Sequence, residues 1–304
     1  MELIDKNGRT EQKTCAALGI FDGVHLGHRR VITEAVSQAR ERGASPAVFT
    51  FSTSTVTTKG RLGALLTDED KFMHFERMGV EHVFSADFAD LRELTPAEFV
   101  KSILAEKMGA VCAVCGENFH FGKGGTADAG ALRELCAEHG IDVVVVPPFM
   151  IGGGRVSSTR IRELIRSGGV SVANALLGYR YALRLEVVEG AHLARTWDFP
   201  TINQVIPKGL VMPRFGVYCV KVYVGGKEYA GVCNVGIKPT VGAATPPLAE
   251  TFIIDFEGEL YGQVITVEFC EFVRPEMKFS SFDELKAEIA RNTAFTKQYF
   301  GLNG

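Results

Sequence analysis

The chain has 304 residues, with 33 Lys and Arg against 36 Asp and Glu for a net charge of -3, 46% hydrophobic residues and 33 glycines. Its length fits two domains at roughly 100 to 200 residues each. The balanced charge excludes a basic polyanion-binding chain and a repulsive acidic tail, and the composition is far from that of disordered chains. Nucleic acid and membrane are therefore not expected as partners. The opening MELIDKNGRTEQK has no apolar core of the kind a secretory signal needs, and apolar runs such as Val143 to Pro148 are far short of the roughly 20 residues that span a bilayer. The expected location is cytoplasmic. Of the seven cysteines, Cys15, Cys112, Cys219, Cys233 and Cys270 lie in apolar, strand-like runs, which suits reduced and buried thiols. Cys112 and Cys115 form a C-x-x-C, but residues three apart on a strand point to opposite faces and there is no second pair at metal-finger spacing. Two core thiols are expected there, rather than zinc or redox chemistry.

From Thr14 to about Leu177 short apolar runs alternate with helical periodicity, the mark of a parallel sheet with crossover helices. Thr14 to Ile20 reads as a strand, and Val31, Ile32, Ala35, Val36 and Ala39 recur at helical spacing until Gly43. Ala47 to Phe51 is the next strand. Thr95-Pro96-Ala97-Glu98 combines a capping box with proline at the first helical position, ahead of a core face made by Phe99, Ile103 and Leu104. Val111 to Val114 and Val143 to Val146 are apolar at every position, as strands buried on both faces should be. After Gly178 the texture changes to period-two alternation, as in Tyr181, Leu183, Leu185 and Val187. Tyr218, Val220, Val222 and Val224 line one strand face, and Gly225-Gly226 turns the chain into Glu228 to Cys233. Ile253 to Phe256 and Val264 to Phe269 add strands, and several short antiparallel strands usually close into a barrel. One helix follows, opening with Ser281-x-x-Glu284 and packing through Leu285, Ile289 and Phe295 towards Tyr299. The expected architecture is thus α/β plus all-β: an α/β domain over residues 1–180 and an antiparallel barrel with a C-terminal helix over 181–304.

The richest chemistry lies in Gly19-Ile20-Phe21-Asp22-Gly23-Val24-His25-Leu26-Gly27-His28, between the first strand and first helix, where an α/β sheet offers its ligand crevice. Gly19, Gly23 and Gly27 let the backbone approach a ligand. His25 and His28 fall at a helix N-terminus, where free N–H groups and the macrodipole already favour anions. The pattern is neither a P-loop nor a dinucleotide fingerprint. A second anion site is suggested by Ser157-Ser158-Thr159-Arg160-Ile161-Arg162, where hydroxyls and arginines meet the start of another helix. Together the two stretches suggest a nucleoside triphosphate.

With Gly116-Glu117-Asn118-Phe119-His120-Phe121-Gly122 between them, these stretches resemble, in order and spacing, the adenylyltransferase half of the bacterial bifunctional riboflavin kinase/FAD synthetase family, and the resemblance spans nearly the whole chain. It implies a Rossmann-like nucleotidyltransferase domain in which the FMN phosphate attacks the α-phosphate of ATP to give FAD and pyrophosphate. On that resemblance His25 and His28 stabilise charge on the phosphates, Gly19, Phe21, Asp22, Gly23 and Gly27 admit ATP, and Ser157, Ser158, Thr159 and Arg162 hold its pyrophosphate end. Asn118 and Phe119 face the flavin. Where the family has Asp-Pro-His-Pro after its second strand, this chain has Ser52-Thr53-Ser54-Thr55 after Phe51.

In the second half, Phe199-Pro200-Thr201-Ile202-Asn203 resembles the family's Pro-Thr-Ala-Asn motif. Thr201 and Asn203, two apart on an extended chain, share a face and offer oxygens suited to Mg²⁺. Glu250 matches the catalytic base that takes the proton of the riboflavin 5′-hydroxyl as it attacks the γ-phosphate of ATP. Asn234 to Thr240, Leu260-Tyr261-Gly262 and Arg274-Pro275-Glu276-x-Lys278-Phe279 are further matches, Arg274 on the flavin side. The glycine-rich run that wraps ATP in this family carries His192, Ala194 and Asp198 in place of three glycines, with bulky Trp197 beside them and Arg195 retained as an ATP contact. Two readings stay open: a working kinase with weaker ATP binding, or a barrel that only holds flavin beside a monofunctional FAD synthetase. A flavin or nucleotide sensor without turnover is a third. Mg²⁺, ATP, riboflavin, FMN and FAD are the implied small molecules, and the sequence leaves oligomeric state open.

Overall fold

Strands apolar at every position need cover on both faces, and the first unit supplies it. The computed structural model describes residues 1–4, 8–53, 63–189, 201–237 and 246–302, in two units, Met1–Ser158 and Thr159–Gly304. In the first unit β1 (Glu2–Ile4), β2 (Thr14–Leu18), β3 (Ser45–Phe51), β4 (His82–Ala86), β5 (Ala110–Gly116) and β6 (Asp142–Val146) pair in the order β1-β4-β3-β2-β5-β6, all parallel. The order reverses at β2, which lies between β3 and β5. All five residues of β2 are buried. On one face α1 (Leu26–Arg42) and α2 (Asp68–Arg77) pack Val31, Ile32, Ala35, Ala39 and Phe75 against Cys15, Val48 and Val114. On the other, Leu132 and Cys136 of α3 (Ala129–Ala137) join Phe99, Ile103 and Leu104 over Phe49 and Ala113.

The capping box at Thr95 forms in full, with Thr95 taking the Glu98 N–H and the Glu98 carboxylate taking the Thr95 N–H. Beyond it, Phe99–Lys107 winds as a π-helix, a wider turn than the periodicity suggested. Cys112 and Cys115 fall in opposite core clusters, as alternation on a strand requires. Burial pushes their thiols up to about 12 and about 11, which keeps them protonated. A small hairpin of β7 (Met150–Ile151) and β8 (Gly154–Arg155) precedes the end of this unit.

All of α4 (Ser158–Ser167) after its first residue, together with α5 (Val170–Leu177), opens the second unit and lies against the β-structure that follows. Asn174 of α5 donates its amide to Phe269 O and accepts the Tyr181 N–H, both at 2.8 Å. Where the sequence suggested a boundary near residue 180, contacts divide the chain after Ser158 and group both helices with the barrel. The strands β9 (Ala182–Glu186), β10 (Thr201–Val205), β11 (Gly216–Val224), β12 (Lys227–Gly236), β13 (Leu248–Ile253) and β14 (Val264–Arg274) pair antiparallel in the order β10-β13-β12-β11-β14-β9. Among the described residues the ends of that sheet meet at the bridge of Val188 with Asn203. Gln204, fully buried, spans the same seam by donating to Leu185 O at 2.7 Å and Ile265 O at 2.8 Å. The result is a nearly closed barrel, flanked by α6 (Phe282–Tyr299).

Two expectations are corrected. The strand expected over Ile253 to Phe256 is β13, five residues earlier at its start, because Asp255 adopts φ 56° and turns the chain. The buried face of α6 carries Asn292 and Thr296, with Phe295 at 44% exposure. A stripe of 3.6-residue period through Leu285 and Ile289 continues to 292 and 296, and those polar side chains bond to Arg274 and Cys219, whereas Phe295 lies about 100° round the helix. Among the described residues no helix is long and apolar enough to cross a membrane.

Candidate functional site

The reversal of strand order at β2 makes the C-terminal ends of β2 and β5 the place where a doubly wound sheet leaves a crevice. Leu18 pairs with Cys115, so the histidine turn after β2 and the 116–122 loop after β5 emerge side by side. Phe21 and Val24 hold φ of 52° and 33°, with Gly23 at 85° between them. Left-handed backbone at side-chain-bearing residues costs roughly 1–2 kcal/mol each, a strain concentrated at functional turns. Bonds on every side hold the turn in shape: Gly19 N–H to Phe49 O at 3.2 Å, Thr50 Oγ1 to Ile20 O at 2.8 Å, Leu65 N–H to Asp22 Oδ1 at 2.8 Å and Ser158 Oγ to Asp22 O at 2.8 Å.

The turn delivers two histidines. His25 caps α1, its Nδ1 accepting the His28 N–H at 3.2 Å, so the proton of its neutral form is on Nε2. The two imidazoles stack with centroids 3.5 Å apart and planes 16° from parallel. Phe21 meets His28 edge-to-face at 5.4 Å, and Phe75 of α2 backs Phe21 in the same way at 5.9 Å. A Cβ on Gly19 would lie 2.9 Å from Cζ of Phe21, so this glycine makes room for the ring that supports His28. A Cβ on Gly27 would approach the His25 ring at 3.2 Å. Two of the three glycines expected to admit a ligand thus accommodate aromatic rings of the turn itself. The first turn of α1 carries no acidic residue, and a positive helix end of this kind suits an anion.

After β5, Phe119 bonds back to Gly116 O at 2.9 Å and stacks on buried Phe121 at 5.7 Å, which leaves Asn118 exposed at the crevice end of the strand. The structure therefore brings together Gly19, Phe21, Asp22, Gly23, His25, Gly27, His28 and Ser158 around one turn, with Asn118 and Phe119 on the neighbouring strand end. Ser157 immediately precedes α4. Thr159 and Arg162 lie in the first turns of α4 and belong to the second unit.

A buried ion pair escaped the sequence reading. Lys71 of α2 is 2% exposed, with Nζ 2.9 Å from Asp68 Oδ1 and donating to Phe51 O at 2.8 Å. Burial pushes its pKa down, against the pull of Asp68 and then Asp22. Burial also works to raise the Asp68 carboxyl, but the Lys71 charge and bonds from Thr53 outweigh it and hold it below the usual range. The only sequence signal was a lysine on the inward face of a helix.

In the second unit, three adjacent strands align a polar row. Asn203 of β10 pairs with Glu250 of β13, which pairs on its other side with Asn234 of β12. Direct antiparallel partners share a face with Cβ atoms about 4.5–5.5 Å apart, so the carboxylate is flanked by two amides. Thr201 is on the same face and pairs with Phe252, which packs against the buried Val217, Val232 and Ile254. Asn203 is 5% exposed and Glu250 half-buried. Arg274, at the end of β14, is pinned to α6 through Nε to Glu288 at 3.0 Å and lies 5.8 Å over the Phe279 ring. Asn234 belonged to a matched segment, but its partnership with Glu250 required the register. Arg195, His192, Ala194, Trp197 and Asp198 lie outside the described residues, as do Ser54, Thr55, Phe199, Pro200 and residues 238–240.

Comparison with known proteins covers both units. The FAD synthetase family model matches residues 8–160 and the riboflavin kinase model residues 177–300. The chain is 34% identical over 298 residues to the bifunctional riboflavin kinase/FMN adenylyltransferase of Escherichia coli K12, covering 96% of this chain and 94% of that one. The protein so described in Bacillus subtilis is 34% identical over 298 residues, with 95% and 93% covered. A crystal structure from Streptococcus pneumoniae, described as a macrolide-efflux protein, superposes with a TM-score of 0.87 at 29% identity, covering 97% of this chain and 98% of that one. With a parallel-sheet unit carrying a phosphate-suited histidine turn and a barrel carrying a flanked carboxylate, the chain belongs to the bifunctional riboflavin kinase/FMN adenylyltransferase family, enzymes of flavin cofactor biosynthesis.

Proposed function

We propose that the histidine turn carries adenylyl transfer and the Asn203–Glu250–Asn234 row carries riboflavin phosphorylation. The observation that supports the first most strongly is the stacked His25 and His28 pair at the N-terminus of α1, whose first turn carries no acidic residue. In this reading the α-phosphate of ATP lies at that helix end. An FMN phosphate oxygen attacks it in line, and the bond to the β-phosphate breaks to release pyrophosphate. His28 and the Nε2–H of His25 donate to oxygens that gain charge, so the contribution is positional and electrostatic, with no covalent enzyme intermediate. Ser157 and Ser158 supply hydroxyls on the ATP side, and Asn118 and Phe119 address the flavin.

In the barrel, Glu250 accepts the proton of the riboflavin 5′-hydroxyl while that oxygen attacks the γ-phosphate of ATP, giving FMN and ADP. Thr201 and Asn203 offer a hydroxyl and an amide oxygen, a hard-donor set of the kind Mg²⁺ takes alongside substrate phosphates. When bound, Mg²⁺ neutralises charge on the β- and γ-phosphates. Arg274, fixed by Glu288, borders the flavin. The aligned row favours a working kinase over a barrel that only holds flavin, while His192, Ala194 and Asp198 weaken its hold on ATP by removing close backbone approach and adding a negative charge. The test is product analysis with Mg²⁺ and ATP: FMN should yield FAD, and riboflavin should yield FMN and then FAD. Absence of FAD from FMN contradicts the first assignment, and absence of FMN from riboflavin contradicts the second.

A further inference from the structure

The Lys71 ammonium has two oxygen partners, Asp68 Oδ1 and Phe51 O, and lies 5.6 Å over the Phe72 ring. Asp68 in turn accepts from Ser52 Oγ at 2.9 Å, Thr53 N–H at 2.9 Å and Thr53 Oγ1 at 2.6 Å. All of these acceptors and donors lie at the exit of β3, residues 51–53, or on α2. The same helix supports the neighbouring strand exit: Phe75 packs on Phe21, which packs on His28, and Leu65, just before α2, bonds to Asp22. Thus α2 touches both lips of the crevice, one through an ion pair and one through aromatic edges. An ammonium taken almost wholly out of water is an expensive way to gain stability, because an apolar side chain of similar volume does as well or better in such a site. What the pair adds is a fixed position for the strand exit, since a carbonyl, an amide and two hydroxyls are all referred to one helix.

We propose that Lys71 and Asp68 are a positioning pair for adenylyl transfer, holding the exit of β3 in register with the histidine turn. The inference rests on the adenylyltransferase reading of the first unit. Neither residue touches substrate. Both act through the backbone of residues 51–53 and the seating of α2 behind Phe21. Misplacement of reacting groups by about 1 Å costs on the order of a hundredfold in rate, so the effect belongs in kcat rather than in binding.

The experiment uses the full chain with Mg²⁺ and measures FAD formation from FMN and FMN formation from riboflavin in the same preparations. Lys71→Met should lower kcat for FAD formation about tenfold or more, move the KM values of ATP and FMN less than about threefold, and leave FMN formation unchanged. Lys71→Arg, which keeps the cation, should recover kcat to within about threefold of the parent. Kcat of Lys71→Met within threefold of the parent overturns the proposal, as does a Lys71→Arg enzyme as slow as Lys71→Met, or a parallel loss of both activities. Should Lys71→Met fail to fold, Thr53→Val decides: it removes one bond to Asp68 and keeps the ion pair, and an unchanged kcat overturns the proposal. A parent enzyme that makes no FAD at all is a failure of the adenylyltransferase reading instead.

Discussion

At the scale of single residues, the histidine turn shows why residue type and conformation have to be considered together. His25 and His28 were legible as an anion site from their place after a strand, but the reason for Gly19 was not. It is the contact partner of Phe21, whose backbone holds a left-handed φ of 52°. Gly19→Ala should push the Phe21 ring away from His28 and slow FAD formation from FMN about tenfold or more, with FMN formation from riboflavin unaffected. Steady-state kinetics of the two reactions check this. His74 offers a prediction of another kind. Burial first, and then the charges of Arg29 and Arg77, lower its pKa from 6.5 to about 4. Between those values the unfolded chain binds a proton that the native chain does not, so the stability this group contributes is complete above about pH 6.5 and is lost as pH falls towards about 4. In His74→Gln the unfolding midpoint of the first unit should fall less between about pH 7 and pH 4.5 than in the parent, and an equal fall contradicts the assignment.

At the scale of elements, what could be read from the sequence was what periodicity carries. The strands β2, β3, β5 and β6, the helix α1 and the hairpin at Gly225-Gly226 all formed where apolar spacing and turn residues put them. Helix α2 leaves no such signal, because its inward face is written with Lys71 and Phe75 inside DEDKFMHFER, and a buried lysine interrupts the apolar stripe that marks a helix. In α6 apolar spacing misleads for the converse reason, since polar Asn292 and Thr296 occupy the buried face and Phe295 is exposed. The seam of the barrel holds a residue with no periodic signature. Gln204 joins β10 to the carbonyls of β9 and β14. Gln204→Ala should leave both carbonyls without this donor and open a cavity, destabilising the barrel by about 2–4 kcal/mol in denaturant unfolding. Because the Val188–Asn203 bridge lies at the same seam, riboflavin phosphorylation should weaken with it while FAD formation from added FMN persists.

At the scale of the whole molecule, two units with separate cores carry two polar constellations, and the family models divide along the same lines, residues 8–160 and 177–300. The resemblance to the family was readable because its motifs occur in order along the chain. The alignment of Asn203, Glu250 and Asn234 was not, because register between strands separated by tens of residues is a property of pairing and leaves no local trace. The central claim is that each unit performs one transfer by itself. The most direct test supplies His28→Ala and Glu250→Ala, each folded and with Mg²⁺, with riboflavin and ATP and separately with FMN and ATP, and quantifies the flavins. His28→Ala should convert riboflavin to FMN and stop there, and Glu250→Ala should convert FMN to FAD but leave riboflavin untouched. Loss of both conversions in either folded variant would contradict two independent sites.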